Sequence, residues 1–342
     1  MTWVLIAAVH ENATAEEGLQ MLNGHSEKRM SRITAQAPGR ICLLGDNTDL
    51  IEKPCIAAAI SAYLTIELEK RQDDRVILVG KDIGLQEEFN LDDVLSYDSP
   101  LKYLKAVFHR LKNHIDRGFK AQVSSQIPIS AGLSSSTALC IAFIRALSMG
   151  YGPTLTAAEV AELSYRIERE DLDIECGRMD QYAIAFGGVT YIETGSEPSV
   201  EKLPVSSLPI VVADTQEKHD TQQLQKWLNE RLAKNDRILW ESLLRVADFV
   251  EKGRQALISS DLNSLGVLMN QQQGEEKLMG TSTERLELFC AEARTAGALG
   301  AKQMGAGGGG CIIALCPPRG VSRVQSALAI LGAPTWAFQV IE

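Results

Sequence analysis

The alternation of apolar and polar positions predicts strands and helices in turn through the first half of the chain, and mainly helices in the second. From Ile33 to Glu69 the pattern is strand, polar loop and strand. The segment "LTIELEK" alternates apolar and polar residues, and "RQDD" then leads into "RVILVG", which together predict a β-hairpin. Further strands are predicted at "FKAQVSSQIP", "GGVTYIE", "LPIVVAD" and "CIIAL".

Helices are predicted where apolar residues recur at helical spacing, as in "SPLKYLKAVFHRLKNHI". A second, more apolar helix begins near Ser136. Thr156 and Glu159 have the spacing of a capping box before a third helix, and Thr281 and Glu284 repeat it before "STERLELFCAEARTAG". We therefore predict a mixed α/β half followed by an α+β half, with the polar stretch "TGSEPSVEK" between them.

Length and charge limit the classes of protein to consider. A chain of 342 residues accommodates about two domains. The formal net charge of −10 argues against nucleic acid or an anionic membrane as the main partner. A nest of backbone N–H groups can still bind a small anion inside an acidic protein.

Cysteine usage and the N-terminus predict a cytoplasmic protein. The seven cysteines lie mostly in apolar surroundings without C-x-x-C pairs, which predicts buried, reduced thiols. No apolar run is long enough to span a membrane. The apolar start "MTWVLIAAVH" lacks the basic region and cleavage site of a signal peptide. We treat residues 1–29 as an N-terminal appendage, with Met30 as an alternative start.

The stretch "PISAGLSSSTALC", residues 128–140, carries the strongest local motif. Gly132 can adopt a backbone conformation closed to other residues, and Ser134, Ser135 and Ser136 supply hydroxyls. The helix that begins near Ser136 directs free N–H groups and its positive dipole end into this loop, which favours phosphate. The loop has no G-x-x-x-x-G-K-[ST] pattern and is therefore not a P-loop. An ordinary serine-capped helix is the alternative interpretation.

Two further polar segments add charged groups. In "APGRICLLGDNTDL", Arg40, Asp46 and Asp49 surround a tight turn at Gly45, and in "IECGRMDQYAIAFGG" Asp180 stands in a weakly polar stretch. A solvated acidic turn and a helix-capping aspartate are the alternative interpretations. Together with the phosphate loop, these carboxylates and the arginine form the set of groups that phosphoryl transfer to a hydroxyl needs.

Five of the six residues from Gly305 to Gly310 are glycine, although glycine loses the most backbone freedom on folding. Something must therefore come close to this backbone. The G-x-G-x-x-G spacing would indicate a dinucleotide only if the glycines opened a helix. Here they precede the predicted strand "CIIAL", so we set that interpretation aside.

In order and spacing, "APGRICLLGDNTDL", "PISAGLSSSTALC" and "KQMGAGGGGCIIAL" resemble the three motifs of the GHMP kinases, which include galactokinase, homoserine kinase, mevalonate kinase and phosphomevalonate kinase. The resemblance implies an α+β fold of two domains. The first is a ribosomal-protein-S5-like α/β domain at residues 30–203, and the second is a ferredoxin-like α+β domain at residues 204–342. It also implies that the glycines pack against the phosphate loop and the nucleotide.

The resemblance further implies ATP, Mg²⁺ and a small-molecule acceptor, in a monomer or homodimer. The ATP-binding residues it implies are Pro128, Ala131, Gly132, Leu133, Ser134, Ser135, Ser136, Thr137, Gly305, Gly307 and Gly308. Ser136 and Glu168 are the implied Mg²⁺ ligands, a small oxygen set that suits a hard octahedral ion shared with phosphates.

"CGRMDQ" resembles the "CGIMDQ" stretch of galactokinases, which implies that Asp180 is the catalytic base. A neighbouring Arg40 would keep Asp180 ionised and orient the acceptor hydroxyl. The implied substrate-binding residues are Arg40, Asp46, Asn47, Asp49, Gly177 and Asp180. Lys218 and His219 either reach the substrate or belong to a solvated loop.

Features within the family point to more than one acceptor. "GDNTDL" stands where galactokinases have "GEHTDY", so Asp46 and Asn47 favour a related sugar or sugar acid over galactose itself. "EKPCIAAAI" and "GAGGGGCIIAL" resemble mevalonate kinases, which makes mevalonate the alternative acceptor. A third possibility is a catalytically silent sugar sensor, although Arg40, Ser136, Glu168 and Asp180 are all present.

Overall fold

The computed structural model describes residues 32–128, 132–218 and 220–341, and within them the chain forms eleven strands and nine α-helices. The strands are β1 Arg32–Leu44, β2 Cys55–Lys70, β3 Arg75–Gly80, β4 Leu85–Asn90, β5 Phe119–Ser125, β6 Val189–Glu193, β7 Ser199–Leu203, β8 Ile210–Asp214, β9 Gly300–Gln303, β10 Cys311–Leu315 and β11 Thr335–Phe338. The helices are α1 Lys102–Leu111, α2 Ser135–Tyr151, α3 Ala157–Arg166, α4 Met179–Phe186, α5 Thr221–Ala233, α6 Arg237–Ile258, α7 Leu262–Met279, α8 Glu284–Thr295 and α9 Val321–Ile330. The predicted appendage at residues 1–29 and the alternative start at Met30 lie outside the described residues.

The first sheet contains β1 to β7 in the order β4-β3-β5-β2-β6-β7, with β1 also paired to β2. Strand β2 pairs antiparallel with β1 along most of its length, with β5 through Leu64–Lys70 and with β6 through Cys55–Ala58. The alternating burial of β2 beyond Ala62 explains the "LTIELEK" pattern, because one face of the strand lies in the core.

The predicted hairpin between β2 and β3 is wrong. β5 lies between them, antiparallel to β2 and parallel to β3. The connecting turn bonds to the start of β5 instead: Arg71 N–H donates to Gly118 O at 2.8 Å, and Gly118 N–H donates to Asp73 O at 2.7 Å. A Cβ on Gly118 would collide with the backbone of Arg75, so glycine is needed for this close approach.

The second sheet has the antiparallel order β11-β8-β10-β9. Helices α5 to α8 connect β8 to β9, and α9 connects β10 to β11, which gives the β-α-β-β-α-β order of a ferredoxin-like unit. The chain then returns to the first sheet, where Ile341 N–H donates to Ala59 O at 3.1 Å and Ser61 N–H donates to Gln339 O at 2.9 Å. One large apolar cluster includes buried residues of both halves, among them Phe143, Met269 and Ile313.

Several local predictions can be compared with these elements. Thr156 and Glu159 form the reciprocal bonds of a capping box at α3. The cap predicted at Thr281 is wrong, because the side chain of Thr283 accepts from Leu286 N–H at the start of α8, and Thr281 bonds to Glu276. Part of the stretch predicted as a boundary forms β7, so the first sheet continues to Leu203. The division into domains at residues 203 and 204 stays a prediction.

Within the described ranges, no helix combines the length and the apolar character needed to cross a membrane.

Candidate functional site

A cavity of about 380 Å³ lies where the first sheet, α2, α4 and the glycine-rich segment meet. Its lining residues come from every motif that the sequence analysis singled out. They are Arg40, Asp46, Asn47, Asp49, Tyr103, Gly132–Thr137, Glu168, Ile174–Gly177, Met179, Asp180, Thr221, Gln222, Gln225 and Met304–Ala306.

The N-terminus of α2 opens into this cavity. Gly132 has φ of +68° and Ser134 has φ of +58°, so the chain turns sharply before the helix begins at Ser135. Ser134 makes no side-chain cap bond, and the N–H groups of Ser135 to Thr137 have no acceptor within the helix. The helix is 17 residues long, and its dipole adds positive potential at this end. This arrangement suits an anion such as a phosphate.

Arg40 and Asp180 form an ion pair beside the helix start, with Arg40 Nε donating to Asp180 Oδ1 at 2.7 Å. Arg40 also donates from a second nitrogen to Gly132 O at 2.6 Å, so one guanidinium connects the carboxylate to the loop. The hydroxyl of Ser134 donates to the other oxygen, Oδ2, of Asp180. Burial alone would lower the pKa of Arg40, but the charge and hydrogen bond of Asp180 raise it overall, so Arg40 stays charged.

Asp49 and Asn47 form the wall next to Asp180. Burial, and then the charge of Asp180, raise the pKa of Asp49 to about 6. A Cβ on Gly177 would collide with the Asp49 carboxylate, which explains glycine at that position. Asn47 has φ of +65° and is buried, and its Nδ2 has no hydrogen-bond partner among the described residues. An unsatisfied buried amide that lines a cavity is available to a ligand oxygen.

Glu168 lies on a π-helical turn, Ile167–Asp171, that continues α3. Its side chain is buried, and Oε2 accepts from Gln181 Nε2 at 3.2 Å, whereas Oε1 has no partner among the described residues. Burial is the main cause that raises the pKa of Glu168 to about 8. A buried carboxylate with an unused oxygen, in the same cavity wall as the Ser136 hydroxyl, fits a hard cation. The described residues contain no group of three or more acidic, histidine or cysteine side chains that would hold a metal alone.

Asp46 lines the cavity but its carboxylate is already bonded within the protein. The side chain is fully buried and forms an ion pair with Lys302. Oδ1 accepts from Gly305 N–H at 2.6 Å, and Oδ2 also accepts from Gln272 Nε2 at 2.9 Å. The sequence prediction that Asp46 contacts the acceptor stays a prediction, and these bonds give the residue a second role.

The glycine-rich segment joins β9 to β10 as the connection of an antiparallel pair. Gly305 and Gly307 to Gly310 all have positive φ, a conformation that favours glycine. A Cβ on Gly307 would collide with Thr281 O, and one on Gly309 would lie 2.6 Å from Glu217 O. At Gly305, by contrast, a Cβ would meet no atom within 4 Å. In these places the close neighbour of the glycines is the protein's own backbone, and Gly305 faces the cavity.

The predicted site residues therefore separate into three groups. Arg40, Asp46, Asn47, Asp49, Gly132, Leu133, Ser134, Ser135, Ser136, Thr137, Glu168, Gly177, Asp180 and Gly305 line one cavity. Pro128, Gly307, Gly308 and the exposed Lys218 are not among its lining residues. Ala131 and His219 lie outside the described residues.

Sequence reasoning missed the buried polar groups around Asp46. Its partners Lys302 and Gln272 are fully buried, and so is Glu276, which accepts from Gln272. Lys302 stands three positions before Gly305 on a buried strand, and a lysine at such a position was the available signal. Gln272 and Glu276 lie in the polar run "NQQQGEEK", which resembles a solvated helix face and gave no signal. Tyr103 and Gln222 also line the cavity without having been predicted.

Comparison with known proteins places this geometry in a family. The family models described as the N-terminal domain and the C-terminal domain of GHMP kinases match residues 102–188 and 254–333. The mevalonate kinase of Thermococcus gammatolerans is 35% identical over 320 residues, which cover 88% of this chain and 94% of that protein.

The chain belongs to the GHMP kinase family.

As a GHMP kinase it is a phosphotransferase with an alcohol group as acceptor, and the predicted α+β GHMP kinase fold is confirmed. The crystal structure of Methanococcus jannaschii mevalonate kinase has a TM-score of 0.79 at 24% identity and covers 92% of this chain and 100% of its own. Lactococcus lactis galactokinase, complexed with galactose, has a TM-score of 0.79 at 22% identity and covers 96% and 98%. At these identities the two structures show the fold alone.

Proposed function

We propose that this GHMP kinase transfers the γ-phosphoryl group of ATP to a hydroxyl of a small molecule, with Mg²⁺ as the metal ion. The observation that carries the proposal is the Arg40–Asp180 ion pair at the open N-terminus of α2. It brings a carboxylate, a guanidinium and backbone N–H groups that have no acceptor within the helix into one cavity.

The nucleotide would bind with its phosphates at the first turn of α2 and its base in a neighbouring apolar cavity. That second cavity, of about 240 Å³, shares Tyr103, Ser135 and Ser136 with the first. Its other lining residues are mostly apolar and include Leu64, Ile83, Pro100, Leu101, Val123 and Leu139. A flat apolar base fits such a wall while the charged phosphates stay with the N–H groups.

In this proposal Asp180 accepts the proton of the acceptor hydroxyl. As the acceptor oxygen forms its bond to the γ-phosphorus, the bond from phosphorus to the ADP oxygen breaks, and the hydroxyl proton passes to the Asp180 carboxylate. Arg40 holds Asp180 in one orientation through Nε, and its charge offsets negative charge on the transferred group.

Glu168 and Ser136 would hold Mg²⁺, because both residues line the cavity and Oε1 of Glu168 has no hydrogen-bond partner among the described residues. When bound, the ion supplies charge neutralisation on the phosphates. Glu168 then serves as an ionised ligand even though burial raises its pKa in the metal-free protein.

For the acceptor, the comparisons favour the mevalonate alternative over the sugar or sugar acid expected from the motifs. The support is the 35% identity to a mevalonate kinase across 88% of this chain. Mevalonate is therefore the first acceptor that we propose to test.

The charge of the cavity favours a second candidate, a neutral sugar. Among the described lining residues the only cation is Arg40, which pairs with Asp180; Glu175 pairs with Arg169 outside the cavity lining, and Asp49 adds negative charge. An acceptor with its own carboxylate would meet repulsion here, and a polyhydroxylated acceptor would find several hydrogen-bonding groups. Side chains that pair with hydroxyls discriminate against an acceptor that leaves them unsatisfied.

A screen of ADP release tests the proposal and separates the two acceptors. Purified protein with ATP and Mg²⁺ would be assayed against mevalonate, galactose and other neutral monosaccharides, and uronic acids. Turnover of mevalonate alone supports the first candidate, turnover of neutral sugars alone supports the second, and ADP release that needs no acceptor contradicts both.

A further inference from the structure

A fully buried ion pair connects the turn after β1 to the strand before the glycine-rich segment. Asp46 and Lys302 are separated by 256 positions in the chain, and neither side chain is exposed to solvent. Lys302 Nζ also donates to Gln303 O at 2.8 Å and to Cys42 O at 3.3 Å. Its three N–H groups therefore each have an acceptor.

The other oxygen of Asp46 holds the part of the glycine-rich segment that faces the cavity. Asp46 Oδ1 accepts from Gly305 N–H at 2.6 Å. Gly305 lines the cavity, and a Cβ at this position would meet no atom within 4 Å. The charge of Asp46 thus fixes the backbone of a residue that lines the cavity.

Helix α7 contributes two buried glutamine side chains to this network. Gln272 donates from Nε2 to Asp46 Oδ2 at 2.9 Å and accepts from Gly45 N–H at 3.0 Å through Oε1. Gln273 Oε1 accepts from Gln303 N–H at 2.6 Å. The turn after β1, α7 and the glycine-rich segment are therefore bonded to one another by buried polar groups.

Stability alone does not explain this network. Buried ion pairs are seldom more stable than apolar replacements of the same volume, because both charges lose their hydration. Hydrogen bonds are directional and can fix the backbone at Gly305, whereas apolar side chains form non-directional contacts and cannot.

We propose that Asp46 and Lys302 are positioning residues for the nucleotide: together they hold Gly305, which lines the cavity, in the backbone conformation that nucleotide binding needs. The inference rests on the proposed ATP-dependent function. It assigns Asp46 a role that does not require contact with the acceptor.

The test measures the Kd of ADP by calorimetry in the absence of any acceptor, for wild type, Asp46→Asn, the double variant Asp46→Asn with Lys302→Gln, and Asp236→Asn as the matched control. Asp236 forms an ion pair with Arg231 at 2.8 Å and is not among the lining residues of either cavity. We expect Asp46→Asn to raise the Kd about tenfold or more, since an amide has one acceptor oxygen and cannot accept from Gly305 on one side and from Gln272 and Lys302 on the other. Asp236→Asn should leave the Kd near the wild-type value.

Melting temperatures separate positioning from a merely structural role. Asp46→Asn leaves Lys302 buried without its counter-ion and should melt well below wild type, whereas the double variant removes both charges and should recover much of the loss. We expect the double variant to keep the raised Kd despite that recovery. If Asp46→Asn does not fold, the double variant alone carries the comparison.

Two results would overturn the inference alone: a wild-type Kd for ADP in either Asp46 variant, or a Kd restored together with the melting temperature in the double variant. An Asp46→Asn variant that changes only the KM of the acceptor would assign Asp46 to acceptor contact instead. Wild-type protein that binds no nucleotide would overturn the proposed function itself, and the inference with it.

Discussion

Arg40 and Asp180 lie 140 positions apart in the chain and are joined by a hydrogen bond of 2.7 Å from Nε to Oδ1. Arg40 stands on β1 and Asp180 in the first turn of α4, and the pair faces the open start of α2. The Arg40 side chain is only 6% exposed while Asp180 is 28% exposed, so the cation is fixed and the carboxylate remains accessible to a substrate. The fixed Arg40 cation suits a group that orients, and the accessible Asp180 carboxylate suits a base.

Asp180→Asn should lower kcat by about 10²–10⁴-fold and leave the Kd of ATP nearly unchanged. Asparagine keeps the shape of the side chain but cannot take up the hydroxyl proton. Steady-state rates and calorimetry on the same preparation measure both quantities, with the exposed Asp116→Asn as the control. If Asp180 only supports the start of α4, the variant would instead melt earlier and turn over normally.

Arg40→Lys should lower kcat by about 10–100-fold, because an ammonium cannot replace the planar fork that bonds Asp180 and Gly132 O at once. The measurement is kcat together with the melting temperature. Wild-type turnover in the lysine variant would show that the two-way bond has no part in the reaction.

Mg²⁺ should bind more tightly as pH rises through the pKa of Glu168. In the metal-free protein that pKa is raised to about 8, so at neutral pH the ion must displace a proton. Half-saturating Mg²⁺ in an ADP-release assay should fall between pH 6.5 and 8.5. Glu168→Gln should raise that concentration and remove most of its pH dependence; an unchanged Mg²⁺ requirement would speak against this ligand.

Glu276→Gln should flatten the pH dependence of stability. Burial and the charge of Asp46 raise the pKa of Glu276 from 4.5 to about 8, so between these values the folded chain keeps a proton that the unfolded chain has lost. This stabilising contribution is fully present at low pH and is lost as pH rises towards and through 8. Melting temperatures at pH 5, 7 and 9 should therefore fall less in Glu276→Gln than in wild type.

The neighbouring Glu275→Gln is the matched control for that series. Glu275 pairs with Arg245 of α6 at 2.8 Å and lies outside the buried network around Asp46. Its variant should keep the wild-type slope with pH. Equal slopes in wild type and Glu276→Gln would show that Glu276 is ionised throughout.

The local motifs carried most of what the sequence could predict. The helix start predicted near Ser136 and found at Ser135, the capping box at Thr156 and the strand "CIIAL" depend on neighbours in the chain, and each was predicted from a short segment. The insertion of β5 between β2 and β3 depends on pairing with a strand some fifty positions later, which no pattern within the turn reveals.

Contacts between residues distant in the chain also limited the prediction of the site. That Arg40 and Asp180 share one cavity followed from ordered motifs, whereas the burial of Asp46 follows from Lys302, Gln272 and Gly305, all more than 200 positions away. The burial of the polar turn that contains Asp46 could not be predicted, because the elements that cover it are not apparent from its own sequence. The positive φ of the glycines serves packing against Thr281 and Glu217 as much as any ligand.

The central claim is that this cavity performs phosphoryl transfer from ATP to a small-molecule hydroxyl. The most direct measurement is ADP release by wild type and Asp180→Asn with ATP and Mg²⁺, with and without each acceptor, alongside ATP binding by both proteins. We expect wild type to release ADP only when an acceptor and Mg²⁺ are present, and Asp180→Asn to bind ATP but lose that release. Wild-type protein that binds ATP and shows no acceptor-dependent release with mevalonate, neutral sugars or uronic acids would contradict the account.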